Sequence, residues 1–142
     1  MNDFTLDYLF EEWRYVLELA WDHLTLSITA IVLGLIFAIP LGLLAARFQQ
    51  LTLPILGILG AIYTIPSLAF LAFLIPTPLG LGRDNALVVL AAYSQIFLVR
   101  NIVAGLRGVE PAIIEAARGM GMTGAQVYRQ VRWPLAWPVI LA

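Results

Sequence analysis

The apolar positions along this chain fall into long blocks separated by short polar breaks. From Leu24 to Ala46 no residue carries a charge. At 1.5 Å per residue, this run of roughly 23 residues extends about 35 Å, enough to cross bilayer hydrocarbon as one tilted helix. A second uncharged stretch runs from Phe48 to Gly82. It is too long for one span and Pro76 and Pro78 stop it, so the pattern predicts a helix over about 51–75. A third block, 86–106, contains Arg100, close enough to one end to snorkel to the interface. A fourth apolar segment begins at Leu135, and about eight residues of it are present, too few to span. Before the first block the period changes. Asp7, Glu11, Arg14, Glu18 and Asp22 recur on one helical face, with Leu6, Leu9, Trp13, Val16, Leu17 and Ala20 on the other. Residues 1–23 are therefore expected to form an amphipathic helix, flat on the outer interface or leading straight into the first span. The expected fold class is all-α, a polytopic transmembrane bundle of three complete spans and the start of a fourth.

Composition agrees with a lipid environment. Hydrophobic residues are 61% of the chain, charged residues 12%, and mean hydropathy is +0.90. A soluble domain is nearer about 45–50% apolar and 25% charged. Eight arginines, no lysine and nine acids leave no electrostatic footprint for nucleic acid. The absence of cysteine and the single histidine exclude thiolate chemistry and a histidine-rich metal site. No nucleophile–base pair is apparent, and Glu110 and Glu115 point in different directions on a helix. No catalytic residue, metal or directly bound cofactor is expected.

The few charges set an orientation. Residues 1–23 hold six acids and one base, whereas the rest holds seven bases and three acids. Arg47 follows the first block, and Arg107, Arg118, Arg129 and Arg132 follow the third. Basic residues favour the cytoplasmic side, so the N-terminus is expected outside and the 107–134 segment in the cytoplasm. The acidic N-terminus also argues against a signal peptide, which begins with a basic region.

Within the spans, Pro40, Pro54 and Pro66 each remove a backbone donor and bend a helix. Gly34, Gly42, Gly57 and Gly60 are expected to let helices approach closely. Tyr63, Thr64, Pro66 and Ser67 put hydroxyls beside a proline near mid-span. Tyr93 and Ser94, with Gln95, lie at a similar depth in the third block. Bent helices near the midplane often line a transport path, and these residues are the candidates for one. The competing reading is that the Ser and Thr hydroxyls satisfy their own helix backbone.

The segment 107–134 divides into two short helices. Pro111 suits a first helical position, and Gly119 and Gly121 end that helix. Thr123 with Gln126 forms a capping-box pattern, opening a second helix that runs to about Arg132 before Pro134. Ile113, Ala116, Ala117, Met120, Met122, Val127 and Val131 interleave with arginines, a surface suited to docking in a partner groove.

Here the sequence resembles a family. Glu115-Ala116-Ala117, three residues, Gly121, nine residues, Val131, one residue, Trp133 and Pro134 resemble the EAA loop of ATP-binding cassette (ABC) importer permeases. Val131 stands where that pattern has Ile, and Trp133 where it has Leu. His23-Leu24-Thr25-Leu26-Ser27, Ile39-Pro40-Leu41-Gly42, Tyr63 to Ala69, Arg100-Asn101 and Ala116 to Thr123 are similar to the osmoprotectant branch, which imports glycine betaine, carnitine and choline.

The resemblance implies a permease domain over 24–142, in the plasma (inner) membrane of a prokaryote. It also implies three partners: an ABC ATPase subunit that uses the ATP, a second permease subunit, and an extracytoplasmic substrate-binding protein. Glu115, Ala116, Ala117, Gly121, Val131 and Pro134 would couple to the ATPase, Gly121 by allowing a tight turn. The branch leaves an amino-acid or methionine importer as an alternative. Family permeases continue for further spans, so the chain is expected to be C-terminally truncated. That expectation allows a second class, a non-transporting membrane adaptor that occupies the ATPase through the same loop.

Overall fold

The computed structural model describes residues 12–142. The first half of the amphipathic pattern, 1–11, lies outside the described residues. Its second half opens the longest element: α1, Trp13–Arg47, is one unbroken helix of 35 residues. Residues 13–23 of the amphipathic segment are thus continuous with the apolar run that follows.

The helices are α1, α2 (Gln49–Tyr63), α3 (Ser67–Leu74), α4 (Arg83–Arg107), α5 (Pro111–Gly119), α6 (Gly124–Gln126) and α7 (Trp133–Ile140), with a π-helical segment, Val127–Arg132, between α6 and α7. Two helices, α1 and α4, are each long and apolar enough to cross a membrane. Where the pattern predicts one helix over 51–75, the structure has α2 and α3, bent by 84° across Thr64–Pro66. Pro40 and Pro54, by contrast, stay inside continuous helices. Pro66 differs because its backbone is extended (φ −56°, ψ 132°), so the chain leaves the helix there and restarts at Ser67.

The core is a seam between α1 and α4. Ala30, Gly34, Ala38, Gly42 and Ala45 are the buried residues of α1, spaced to form one stripe of small side chains. Against it α4 sets Gln95, Val99, Ile102 and Leu106. A Cβ on Gly42 would lie 2.7 Å from Ile102 Cγ2, and one on Gly34 would lie 2.4 Å from Ser94 Oγ. These glycines are packing devices, as small residues are between helices in lipid. Gly57 and Gly60 are not: nothing lies within 4 Å of a Cβ built on either. Gly105 serves the other face of α4, where a Cβ would meet the Ala136 carbonyl at 2.8 Å, so α7 can pack there. Outward-facing side chains are large and apolar, among them Trp21, Ile36, Phe37, Leu53, Leu68 and Phe73, the inverse of a water-facing surface.

The second half of the 107–134 segment departs from expectation at Pro134. It does not stop the helix: Arg132 and Trp133 keep helical dihedrals, and the chain runs helically from Gly124 to Ile140. Pro134 has no N–H, and in an α-helix its ring would press on the carbonyl four residues earlier. The wider π turn directly before it relieves that crowding.

Candidate transport path and coupling segment

The 84° break gathers aromatic rings. Tyr63, the last residue of α2, meets Tyr93 edge-on at 5.5 Å between centroids and Phe97 at 5.2 Å. Phe70 of α3 lies 5.9 Å from Tyr93. The Tyr93 hydroxyl donates to the Ile65 carbonyl, inside the break. It thereby satisfies one of the acceptors that the missing helical turn leaves free. Tyr63 and Ile65 remain exposed.

Of the candidate path residues, Tyr63, Thr64, Pro66, Ser67 and Tyr93 come together here, and Ser94 does not. Ser94 donates to Ala91 within its own helix at 2.8 Å and packs against Gly34 in the α1–α4 seam. One residue along a helix is a turn of about 100°, which separates Ser94 from Tyr93. Thr64 likewise turns its hydroxyl back to Ala61 at 2.7 Å, the local backbone bond that was the competing reading. Phe70 and Phe97 were not among the candidates. Phe97 follows Tyr93 by four residues, the spacing that puts two rings on one helical face, and that was the available signal.

Two buried amides fix the surroundings. Gln95 Nε2 donates to the Gly34 carbonyl at 2.9 Å and to Ala91 at 3.0 Å, locking α4 to α1 at mid-seam. Asn85, 1% exposed, donates to the Leu71 carbonyl at 3.1 Å and to Gly80 at 2.8 Å. It ties α3 and the Pro76–Gly82 connection to the start of α4. Arg83 adds a bond from α4 to Thr25 Oγ1 of α1 at 2.9 Å.

The 108–134 segment is a helical hairpin. Pro111 begins α5, and the helix closes with two bonds, from Gly121 N–H to Arg118 and from Met122 N–H to Ala117. These are the paired bonds of a Schellman stop, with Gly121 at the left-handed position, φ +85°. Thr123 then caps the returning helix, its hydroxyl accepting from Gln126 N–H while the Gln126 side chain accepts from Thr123 N–H. Ala117 and Val127 are buried between the two arms, and Val131 is half-buried. Glu115, Ala116, Ile113 and Met120 face outward, as does Pro134. The coupling candidates therefore divide: Ala117 is buried and Val131 half-buried, whereas Glu115, Ala116, Gly121 and Pro134 lie on the surface.

Among the described residues no group of acids and histidines could hold a metal ion. Two helices long and apolar enough to cross a membrane, with a bent pair that together passes the same test, fit a multi-pass membrane protein. Residues 30–142 match the family described as "Binding-protein-dependent transport system inner membrane component", and this chain belongs to that family. It is similar to the choline transport system permease protein OpuBB of Bacillus subtilis (strain 168), 44% identical over 86% of this chain and 56% of that one. The glycine betaine/carnitine/choline transport system permease protein OpuCB of the same organism is 42% identical over 85% and 55%. The osmoprotectant import permease protein OsmW of Salmonella typhimurium is 36% identical over 96% and 65%. All three names describe permease proteins of transport or import systems. The chain spans somewhat over half the length of the relatives it matches. In three dimensions it resembles a structure of the MetNI methionine ABC transporter in inward-facing conformations. The TM-score is 0.70 at 25% identity, over 85% of this chain and 62% of that one.

Proposed function

We propose that this chain is a permease subunit of an ATP-driven importer for osmoprotectants, small quaternary ammonium compounds such as choline, glycine betaine and carnitine. The observation that carries the reading is the 44% and 42% identity to two permeases whose names state those cargoes. In this reading the hairpin lies in the cytoplasm and the N-terminus outside. Glu115, Ala116 and the Gly121 turn enter a groove on an ABC ATPase, which hydrolyses the ATP. A second permease completes the path, and an extracytoplasmic binding protein delivers the cargo. The break carrying Tyr63, Thr64, Pro66 and Ser67, with Tyr93 opposite, lines part of that path.

The geometry supports coupling in a specific way. A stiff, packed element passes a displacement at one end on to the helices packed at the other. The hairpin is stopped by a Schellman turn, capped on its return arm and joined without a loop to α7, which contacts Gly105 of α4. Uptake of radiolabelled choline and glycine betaine tests the reading in cells whose own osmoprotectant importers are deleted. The expected result is saturable uptake that excess methionine does not reduce. The likeness to the methionine transporter favours a second reading, an amino-acid importer. Methionine uptake without quaternary ammonium uptake would establish that one instead. ATPase capture with no uptake of either cargo would point to an adaptor.

A further inference from the structure

A groove of about 630 Å³ opens between the end of α1 and the hairpin. Leu43, Ala46 and Leu106 make its apolar floor. Its rim holds Arg47 from α1, Arg118 from α5, and Tyr128 and Arg132 from the π segment. Three arginines thus line one space, and none of the lining residues is acidic. Like charges drawn together repel unless an anion sits between them. Among the described residues Arg132 finds no hydrogen-bond partner: its Nε is enclosed within the protein, which leaves its terminal guanidinium nitrogens as the donors that can meet a ligand. The planar fork of arginine matches the oxygens of a phosphate. Partial burial pushes the Tyr128 phenol above its ordinary value while the Arg132 charge pulls it back, so at neutral pH the hydroxyl is protonated and can donate.

Depth narrows the source of the phosphate. Arg47 is the last residue of α1 and Leu106 the penultimate residue of α4, so the groove lies where both long apolar helices end. That is the level of lipid headgroups. A charged rim above an apolar floor fits a molecule that carries a phosphate on one side and hydrocarbon on the other. We propose that this groove binds a phosphate anion, supplied by an anionic phospholipid headgroup. Bound there, the phosphate bridges α1 to both arms of the hairpin, and membrane charge helps to hold the hairpin against the bundle.

The test uses the full chain, purified in mild detergent and offered phosphatidylglycerol or phosphatidylcholine, with retained lipid read by native mass spectrometry. The wild type is expected to keep phosphatidylglycerol and not phosphatidylcholine. Arg118→Gln combined with Arg132→Gln should lower phosphatidylglycerol retention at least about tenfold, as expected for two lost charge contacts. Arg118→Gln alone, at an exposed position, should lower it in part and serves if the double variant fails to fold. Arg129→Gln, on the same segment but outside the groove, should leave retention unchanged. Millimolar inorganic phosphate should not displace the lipid; if it does, the phosphate site stands but its occupant is the soluble ion. Equal retention of both lipids, or equal loss in Arg129→Gln and the double variant, overturns the proposal.

Discussion

Arg107 closes α4 by bonding to Ala45 of α1: its Nη2 donates to that carbonyl at 2.6 Å. The same nitrogen reaches Thr52 Oγ1 of α2 at 2.7 Å, and Nε reaches the Ala46 carbonyl at 3.3 Å. One guanidinium thus ties three helices together at the point where α1 leaves its last carbonyls without intrahelical donors. It also places positive charge at the negative end of the α1 dipole.

Arg107→Ala is therefore expected to lower stability by about 1–2 kcal/mol, discounted from the value for buried charged bonds because the side chain is partly exposed. Thr52→Val keeps the shape but removes both the acceptor for Arg107 and the hydroxyl's own bond to the Ala45 carbonyl at 3.0 Å; it leaves the Arg107 bonds to Ala45 and Ala46 in place and should cost less. Thermal unfolding in detergent orders the two. Equal melting temperatures for Arg107→Ala and wild type would remove the clamp from this account.

Glycines in the spans should divide sharply on substitution. Gly42→Ala places a methyl 2.7 Å from Ile102 and must push α1 off α4, at about 1–3 kcal/mol. Gly57→Ala meets nothing and gains helix propensity, so it should be neutral or stabilising by up to about 1 kcal/mol. Paired unfolding measurements on the two variants check this, and equal destabilisation would contradict the described seam.

At the hairpin turn, Gly121 has φ +85°. A β-branched residue there is strained by about 1–2 kcal/mol, whereas asparagine tolerates the left-handed region better. Under the proposed function, Gly121→Val should uncouple substrate-stimulated ATP hydrolysis and Gly121→Asn should retain most of it. ATPase assays with and without cargo on the reconstituted transporter give the answer. Intact coupling in Gly121→Val would count against a docking role for this turn.

Tyr93→Phe keeps the ring contacts with Tyr63 and Phe70 but loses the bond to the Ile65 carbonyl. The expected cost is about 0.5–1.5 kcal/mol, concentrated at the break between α2 and α3. Hydrogen exchange should then show faster opening at Ile65 and Phe70, whose amides bond to Ile62 and Pro66 on either side of the break, than in α4. If the break lines the transport path, the uptake KM shifts as well. Unchanged exchange at Ile65 and Phe70 would show that the ring packing alone holds the break.

Much of this architecture is written in the order of residues. A run of apolar residues long enough to cross a bilayer has few alternatives to a helix, so α1 and α4 follow from length and the absence of charge. The hairpin is equally local. Pro111, Gly121 and the Thr123–Gln126 pair each act within one turn of the chain, and the structure places all of them as their chemistry requires. The spacing of Glu115, Ala116, Ala117, Gly121 and Pro134, which resembles the EAA pattern, is legible for the same reason.

Tertiary contact decided the rest. Pro40, Pro54 and Pro66 look alike in sequence, yet only Pro66 sits in a full break, where Tyr93 supplies a donor to the freed carbonyl region. Gly34 and Gly57 look alike as well, and only Gly34 has a neighbouring helix to admit. Tyr93 and Ser94 are adjacent in the chain but serve different interfaces. Pro134 reads as a stop but is carried inside a helix by the π turn before it. Local chemistry states what a residue can do with its own backbone. Which of those options is realised depends on the partner across the interface, and only the folded bundle supplies that partner.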